Sequence, residues 1–433
     1  MSFEKNFCSS PWLHMRINNS GSYEYCRWQA KTAQTTRVDF DHNIRNQSST
    51  DYFQNTLSPL RNELLAGNSL PGCNDCYKME LHNKVSGRQR QLLKIGIQES
   101  EFEKTTLSSQ LLPALKYSAN NQGLTDRTPV DWQIDLGNYC NGACIYCSPE
   151  SSSKLATEFK QLGFITKLPP PAWCDDPELL KKFIDELVEH NNLKYLHFIG
   201  GETVITPGFK KILQALVDHN LAKNITVGFT TNLTVWSDSV IDLLKQFHQV
   251  HLGMSVEALT PINDYVRFPS KLEQTQTTLD QWVALGQQLG WLIQLRITPT
   301  CLTIHEITTV YEYAWQHNLA VESCNFLTDP EFLRITVLPN MQRQYAITRL
   351  TNWISTHPVT DTTKIINTRD SNIARAQLVQ DAQSYINLLS NGEDEQYRLT
   401  DLIKYLRKIE NNRNNSILNY IPEYEELFRS AGY

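Results

Sequence analysis

VDWQIDLGNYCNGACIYCSPE, residues 130–150, joins an apolar run to a loop that carries three cysteines. Val130, Trp132, Ile134 and Leu136 alternate with Asp131, Gln133 and Asp135, the period of two that a β-strand needs. Cys140, Cys144 and Cys147 follow directly at C-x3-C-x2-C spacing. Five more apolar runs lie downstream: LKYLHFIGG (193–201), ITVGFTTN (225–232), QVHLGMSVEA (249–258), LIQLRITP (292–299) and AVESCNFL (320–327). Between them, segments such as PELLKKFIDELVEHNN and DSVIDLLKQFHQ place apolar residues at i, i+3, i+4 and i+7, the stripe of an amphipathic helix. Six βα units with right-handed crossovers predict an α/β fold with a parallel sheet that curls toward a barrel. Six are too few to close eight strands, so the expectation is an open, partial (β/α)6 TIM-like barrel with ligands at the carboxyl ends of its strands. The polar residues obey that rule. The cysteine triplet follows the first run, Gly200, Gly201 and Glu202 end the second, Asn232 the third, and Ser255 and Glu257 the fourth.

Outside this core the composition changes character. The first 125 residues hold an irregular cysteine-bearing opening, a polar stretch from Asn43 to Thr56, and a helical segment GRQRQLLKIGIQESEFEKTTLSS. After Pro339 helical patterns dominate, in QRQYAITRLTNWIS, NIARAQLVQDAQSYINLL and YRLTDLIKYLRKIENNR. The expected organisation is a small N-terminal Cys-rich domain (1–125), the barrel (126–339) and a C-terminal helical region (340–433). A chain of 433 residues is long enough for one large catalytic core with such appendages. The formal charge of −6 argues against a broad nucleic-acid footprint, which needs an excess of Lys and Arg. No run approaches the roughly 18 apolar residues of a membrane span, and MSFEKNFCSSPW lacks the apolar core of a signal peptide. The expectation is a cytoplasmic protein with no membrane contact.

Ten cysteines in a reducing compartment call for metal or redox chemistry, and seven of the ten fall into two groups. Three thiolates from one loop can reach three irons of a [4Fe–4S] cube and leave the fourth iron without a protein ligand. An open coordination position is what a reactive centre needs, whereas a closed set mainly transfers electrons. A zinc site, or a ferredoxin-like cluster completed by a remote cysteine, is the competing reading of the bare spacing.

Here the sequence resembles the radical SAM family, whose signature is C-x3-C-x2-C. The resemblance implies that Cys140, Cys144 and Cys147 hold a [4Fe–4S] cluster and that the amino and carboxyl groups of S-adenosylmethionine (SAM) chelate its fourth iron. It implies that reduction of the cluster cleaves SAM to a 5′-deoxyadenosyl radical that abstracts hydrogen from a substrate. Tyr146 fills the aromatic position that lies near the adenine in the family. Gly200-Gly201-Glu202 resembles the GGE motif, with Thr203 in place of the usual Pro. FTTNLT (229–234) resembles the TNG segment, with Leu233 for Gly, and GMSVEAL (253–259) the S-I-D-G segment, with Glu257 for Asp. The resemblance points Asn232, Ser255, Glu257 and Arg267 (in NDYVRFPSK) toward SAM, and leaves Arg296 to SAM or substrate.

The second group is Cys8, Cys26, Cys73 and Cys76. The layout C-x2-P-W, a Gly-containing turn, a second Cys and then P-x-C-x2-C resembles the twitch unit, a truncated relative of the SPASM domain, although such units usually follow the barrel. The resemblance implies a second, auxiliary [4Fe–4S] cluster. Four thiolates also suit a structural zinc, and that alternative stays open. NFLTDPEFLRITVLP (325–339) and LRKIENNRNNSILNYIPEYEEL are similar to segments of twitch-containing radical SAM proteins, and read on their own they serve barrel closure and helix packing.

Cys174 (in PPPAWCDDPE), Cys301 and Cys324 read as incidental or core thiols, and His14, His197 and His251 as core or turn histidines. There is no phosphate-binding Gly-rich loop, no Ser-His-Asp ordering and no internal repeat. The resemblance implies an oxidoreductase-like radical enzyme fed by an external electron donor such as flavodoxin or ferredoxin. Its first substrate class is a peptide, modified as maturases do. The alternatives are radical chemistry on a carbohydrate, nucleoside or other small metabolite, and a non-catalytic iron–sulfur scaffold.

Overall fold

Two short strands precede the six expected ones: β1 (His14–Ile17) and β2 (Tyr23–Glu24). The six apolar runs follow as β3 (Asp131–Asp135), β4 (Tyr195–Ile199), β5 (Thr226–Thr231), β6 (Gln249–Ser255), β7 (Leu292–Ile297) and β8 (Ala320–Ser323). The computed structural model describes residues 6–27, 42–81, 86–94, 106–190, 192–323, 327, 329–359 and 371–433. Cys324 and the middle of the 87–109 helical run lie outside these residues.

The strands form one mostly parallel sheet in the order β2-β1-β3-β4-β5-β6-β7-β8. The sheet with its helices is the α/β architecture expected of the partial barrel, and the helical C-terminal region is present. A small N-terminal hairpin is what the twitch resemblance implies; that it extends this sheet at its edge was not foreseen. β1 pairs parallel to β3 with His14 opposite Asp131, and β2 turns back antiparallel. HMRI is only four residues long and carries two polar side chains, so periodicity cannot single it out from the surrounding polar sequence. The turn between the two strands is set by Asn18, whose Oδ1 accepts from the Ser20 and Ser22 amides, and by Gly21 at a φ of 89°.

Along the strands the pleat separates two surfaces. Trp132, Ile134, Leu196, Phe198, Leu252, Met254, Leu295 and Ile297 are buried, whereas their strand neighbours Asp135, His197, Ser255 and Arg296 are only partly so. A parallel sheet covered by core on both faces would read as continuous apolar sequence. In β3 and β6 the alternation instead leaves one face free of large apolar side chains.

The chain divides into two compact units. The first comprises Met1–Asn138, Pro170–Gly228 and Ser239–Gln249, the second Tyr139–Pro169, Phe229–Asp238 and Val250–Tyr433. In the first, the helix Pro177–Glu189 starts at Asp176, whose carboxylate accepts from the Glu178 and Leu179 amides, and it buries Leu180, Phe183 and Leu187. Phe183 meets Trp132 edge-on at 5.5 Å. A separate apolar cluster of Phe7, Trp12, Leu13, Leu64, Leu111, Leu115 and Val130 holds the N-terminal segment.

In the second unit the helix Ser153–Gln161 begins at Ser152, whose hydroxyl accepts from the Leu155 amide. Leu272–Leu289 stops at Gly290 and Ile307–His317 at Asn318, both in the left-handed region. The C-terminal region supplies Asn340–Thr356, Ser371–Asn391 and Leu399–Arg413, the last ending at left-handed Asn414. No described helix is long and apolar enough to cross a membrane.

Candidate functional site

The loop after β3 belongs to the second unit, and its backbone is tied down almost residue by residue. The Cys140 amide donates to Ser153 Oγ at 3.2 Å, and Ser152 Oγ donates to the Gly142 carbonyl at 2.5 Å. The Ala143 and Ile145 amides donate to the Phe268 and Val266 carbonyls at 2.6 and 2.9 Å. A loop held in this way presents three half-exposed cysteines, none of them in a disulfide, with little freedom left to lose.

The thiols are near neighbours. A Cβ on Gly142 would stand 3.7 Å from Cys140 Sγ and 3.8 Å from Cys144 Sγ, so both face the space that glycine leaves. Burial first, and then the charges of Cys144 and Cys140, push the Cys147 thiol up to about 12. Three mutually repelling thiolates are a donor set that a cationic iron–sulfur centre relieves, because metal binding requires and stabilises the deprotonated form. The residues therefore fit such a centre. Among the described residues, no group of three or more His, Cys, Asp and Glu is arranged to hold a single metal ion.

Tyr146, Glu257 and Arg267 meet next to this loop. Tyr146 donates its hydroxyl to Glu257 Oε1 at 2.6 Å, and Arg267 Nη1 donates to both Tyr146 Oη at 2.6 Å and Glu257 Oε1 at 3.0 Å. The Thr298 amide holds the other carboxylate oxygen at 2.5 Å. Glu257 is 3% exposed and Arg267 7%, so the pair is dry. Burial pushes the Glu257 carboxyl up, while Arg267, Tyr146 and the Thr298 amide pull against it. For Arg267 burial acts downward, but the Tyr146, Cys144 and Glu257 charges outweigh it and keep the guanidinium protonated.

Asn232 braces the same loop, its Nδ2 donating to Asn141 Oδ1 at 2.9 Å and lying 4.0 Å from Cys140 Sγ. Leu233 adopts the left-handed region with a φ of 65°. Ser255 ends β6 opposite Arg296 of β7. Arg296 lies across Gly253, where a Cβ would come within 2.6 Å of its Nε, and its Nη2 pairs with Glu322 at 2.7 Å. The second unit thus brings together the triplet, Tyr146, Asn232, Glu257 and Arg267.

Gly200, Gly201 and Glu202 lie in the first unit, just after β4. Gly200 has a φ of 137°, and a Cβ there would fall 2.5 Å from the Gly137 carbonyl oxygen, so the position admits only glycine. The Gly201 amide donates to that same oxygen at 2.8 Å. Glu202 is buried, and its carboxylate accepts from the Val204 amide at 3.2 Å.

The N-terminal cysteines also lie in the first unit, and all four are buried. Burial, and then the charge of Cys8, push the Cys73 thiol up to about 11, with Cys76 adding to it and hydrogen bonds from Tyr25 and Tyr77 opposing. Tyr25 directly precedes Cys26, so two loops and a helix bring this set to one neighbourhood.

The remaining singles are structural. The Cys174 thiol donates to the Leu136 carbonyl at 3.3 Å and is pushed up to about 12 by burial, and Cys301 is fully buried. His14 Nδ1 lies 3.3 Å from Asp131 Oδ2, and His197 and His251 sit within strands β4 and β6. Sequence reasoning missed Tyr405, Arg413 and Glu158, which also touch the cysteine loop or its helix; they stand some 260 residues from it or look like ordinary surface polar residues, and no local signal marks them.

Residues 134–292 match the radical SAM superfamily. No curated protein matches the chain significantly in sequence. A structure of native anSMEcpe with bound AdoMet is 16% identical with a TM-score of 0.37, over 52% of this chain and 60% of that one. Streptococcus suis SuiB bound to its precursor peptide SuiA is 13% identical with a TM-score of 0.38, over 68% and 62%. The methyltransferase TsrM from Kitasatospora setae is 13% identical with a TM-score of 0.33, over 45% and 34%. The matches span about three fifths of the length of the first two structures.

Proposed function

Because this chain carries a radical SAM domain over residues 134–292, we propose that it is an enzyme that reductively cleaves SAM and uses the radical on a peptide substrate. The observation that carries the reading is the braced loop in which Cys140, Cys144 and Cys147 stand close together outside any disulfide, each disfavouring the ionisation of its neighbours. When bound, a [4Fe–4S] cluster there supplies the electron that breaks the sulfonium bond of SAM to give methionine and a 5′-deoxyadenosyl radical. The three thiolates would hold such a cluster through three ligands and leave a position open for SAM.

The other residues bind and orient. Tyr146, fixed by Glu257 and Arg267, presents a rigid aromatic wall beside the triplet. Asn232 keeps the loop in register through Asn141. Ser255 is assigned to SAM from its place at the end of β6, and Gly200, Gly201 and Glu202 from their motif. Cys8, Cys26, Cys73 and Cys76 are assigned to an auxiliary cluster in a twitch-like domain of residues 1–125, with 126–339 the catalytic domain and 340–433 the helical region. An external carrier such as flavodoxin or ferredoxin supplies the electron, in the cytoplasm. The peptide assignment rests on the resemblance of the N-terminal cysteine layout to units that accompany peptide maturation.

The test is anaerobic reconstitution, iron and sulfide analysis with EPR, and then dithionite and SAM with detection of 5′-deoxyadenosine. Wild type should hold iron at both cysteine sets and make 5′-deoxyadenosine, and Cys140→Ala/Cys144→Ala/Cys147→Ala should make none. Cleavage that survives in the triple variant, or is absent from wild type, ends the reading. Iron confined to the triplet, with zinc at the N-terminal set, would reassign that set to structure.

A further inference from the structure

The cysteine loop is gripped from two sides. Its Ala143 and Ile145 amides are taken by the segment that carries Arg267, as described above. Their carbonyls go elsewhere: Arg413 Nη2 donates to the Ala143 oxygen at 2.7 Å, and Tyr405 donates its hydroxyl to the Ile145 oxygen at 2.7 Å. Both donors lie on one helix, Leu399–Arg413, two turns apart on its inner side. From this geometry we propose that Tyr405 and Arg413 are positioning residues: the C-terminal helix clamps the loop so that the three thiols are set in place before any cluster binds. This rests on the reading of the triplet as a cluster site.

The details favour a clamp over incidental packing. Ala143 and Ile145 flank Cys144, so the two carbonyls fix the middle ligand on either side. Arg413 is itself immobilised. Its Nε and Nη2 pair with Glu158 at 2.9 and 2.6 Å, its guanidinium lies 4.5 Å over the Phe268 ring, and its side chain is 3% exposed. Glu158 belongs to the helix that begins right after the loop, and Phe268 follows Arg267. One guanidinium therefore joins the loop, the helix behind it and the Arg267 segment. Tyr405 is placed by rings, with Phe332 at 4.9 Å, Phe164 at 5.6 Å and Phe159 at 6.1 Å, and its hydroxyl is the polar end that reaches the loop. A buried carbonyl that loses its donor is costly, so each contact resists opening of the loop. A loop held in this way loses less freedom on taking up its cluster.

Tyr405→Phe keeps the ring packing and deletes only the hydroxyl; Arg413→Met deletes the grip, and Arg413→Lys restores a charge able to reach the Ala143 oxygen. In the iron-free full-length chain, hydrogen exchange over residues 140–147 should quicken about five- to fiftyfold in Tyr405→Phe and Arg413→Met, the range that a lost buried hydrogen bond supports. Arg413→Lys should recover part of the protection. After anaerobic reconstitution the same two variants should lose iron to a chelator faster, with a broadened EPR signal of the reduced cluster. Wild-type exchange and iron retention in both variants would overturn the clamp, and so would exchange that quickens equally over the whole chain. If wild type took up no triplet-dependent iron, the proposed function would fall, while the exchange data on the iron-free chain would still decide the clamp.

Discussion

Cutting one side of the Glu257–Arg267 pair should be far more harmful than removing both. Nη1 stands 3.0 Å from Oε1, and at an effective dielectric near 20 the attraction is about 5 kcal/mol. Truncating one partner leaves the other charge buried with nothing to neutralise it, a loss of about 3–5 kcal/mol. Glu257→Leu and Arg267→Met should each fall in that range, whereas the double variant replaces the pair with apolar volume and should cost about 2 kcal/mol or less. The assay is a urea double-mutant cycle on the iron-free chain, read by tryptophan fluorescence and circular dichroism together. Disagreement between the probes would reveal the two units unfolding separately. Because Tyr146 bonds to both partners, the single variants should also loosen Tyr146, the residue just before Cys147, visible as reduced iron uptake. Additive single costs, with a coupling below about 0.5 kcal/mol, would refute a dry, mutually neutralising pair.

Leu233 offers a contrast between strain and packing. Its left-handed φ of 65° costs about 1 kcal/mol, but the side chain is fully buried, so Leu233→Gly should lower stability by about 2 kcal/mol despite restoring the family's residue; a raised melting temperature would contradict this. Gly200→Ala forces a Cβ to 2.5 Å from the Gly137 oxygen and should cost about 2–3 kcal/mol or prevent soluble expression, whereas a melting curve like that of wild type would mean the turn can open. His190 and His305 are both held near 4, by burial in each case and for His305 also by Arg349. A depressed histidine contributes stability that is present above its unfolded pKa of about 6.5 and is lost as pH falls toward the folded value, up to about 3 kcal/mol per site. Thermal stability should therefore fall between pH 6.5 and 4, and His190→Gln should flatten part of that slope; an unchanged slope would exclude His190 as its source.

Local patterning alone settled a good deal. Trp132 and Ile134, Leu196 and Phe198, or Leu252 and Met254 alternate with polar neighbours, and such alternation can be satisfied only by strands, so all six runs could be read directly. The triplet was legible because the chemistry needs three thiols within one loop, a constraint written in spacing. Gly200 was singled out from its motif alone, and the structure adds a backbone reason for it, because the chain there approaches the Gly137 carbonyl more closely than any Cβ permits. What the sequence could not determine lies in pairings across long separations. HMRI becomes a strand only because β3 offers it an edge, since four residues carry too little periodicity of their own. Arg267, expected to reach toward SAM, has Nη1 engaged by Glu257 and Tyr146, because burial makes a lone guanidinium too costly. Tyr405 and Arg413 reach the cysteine loop from 260 and 270 residues away. No local signal encodes such contacts: they exist because the folded chain must find a donor for each carbonyl it buries, and only the tertiary structure decides which donor that is.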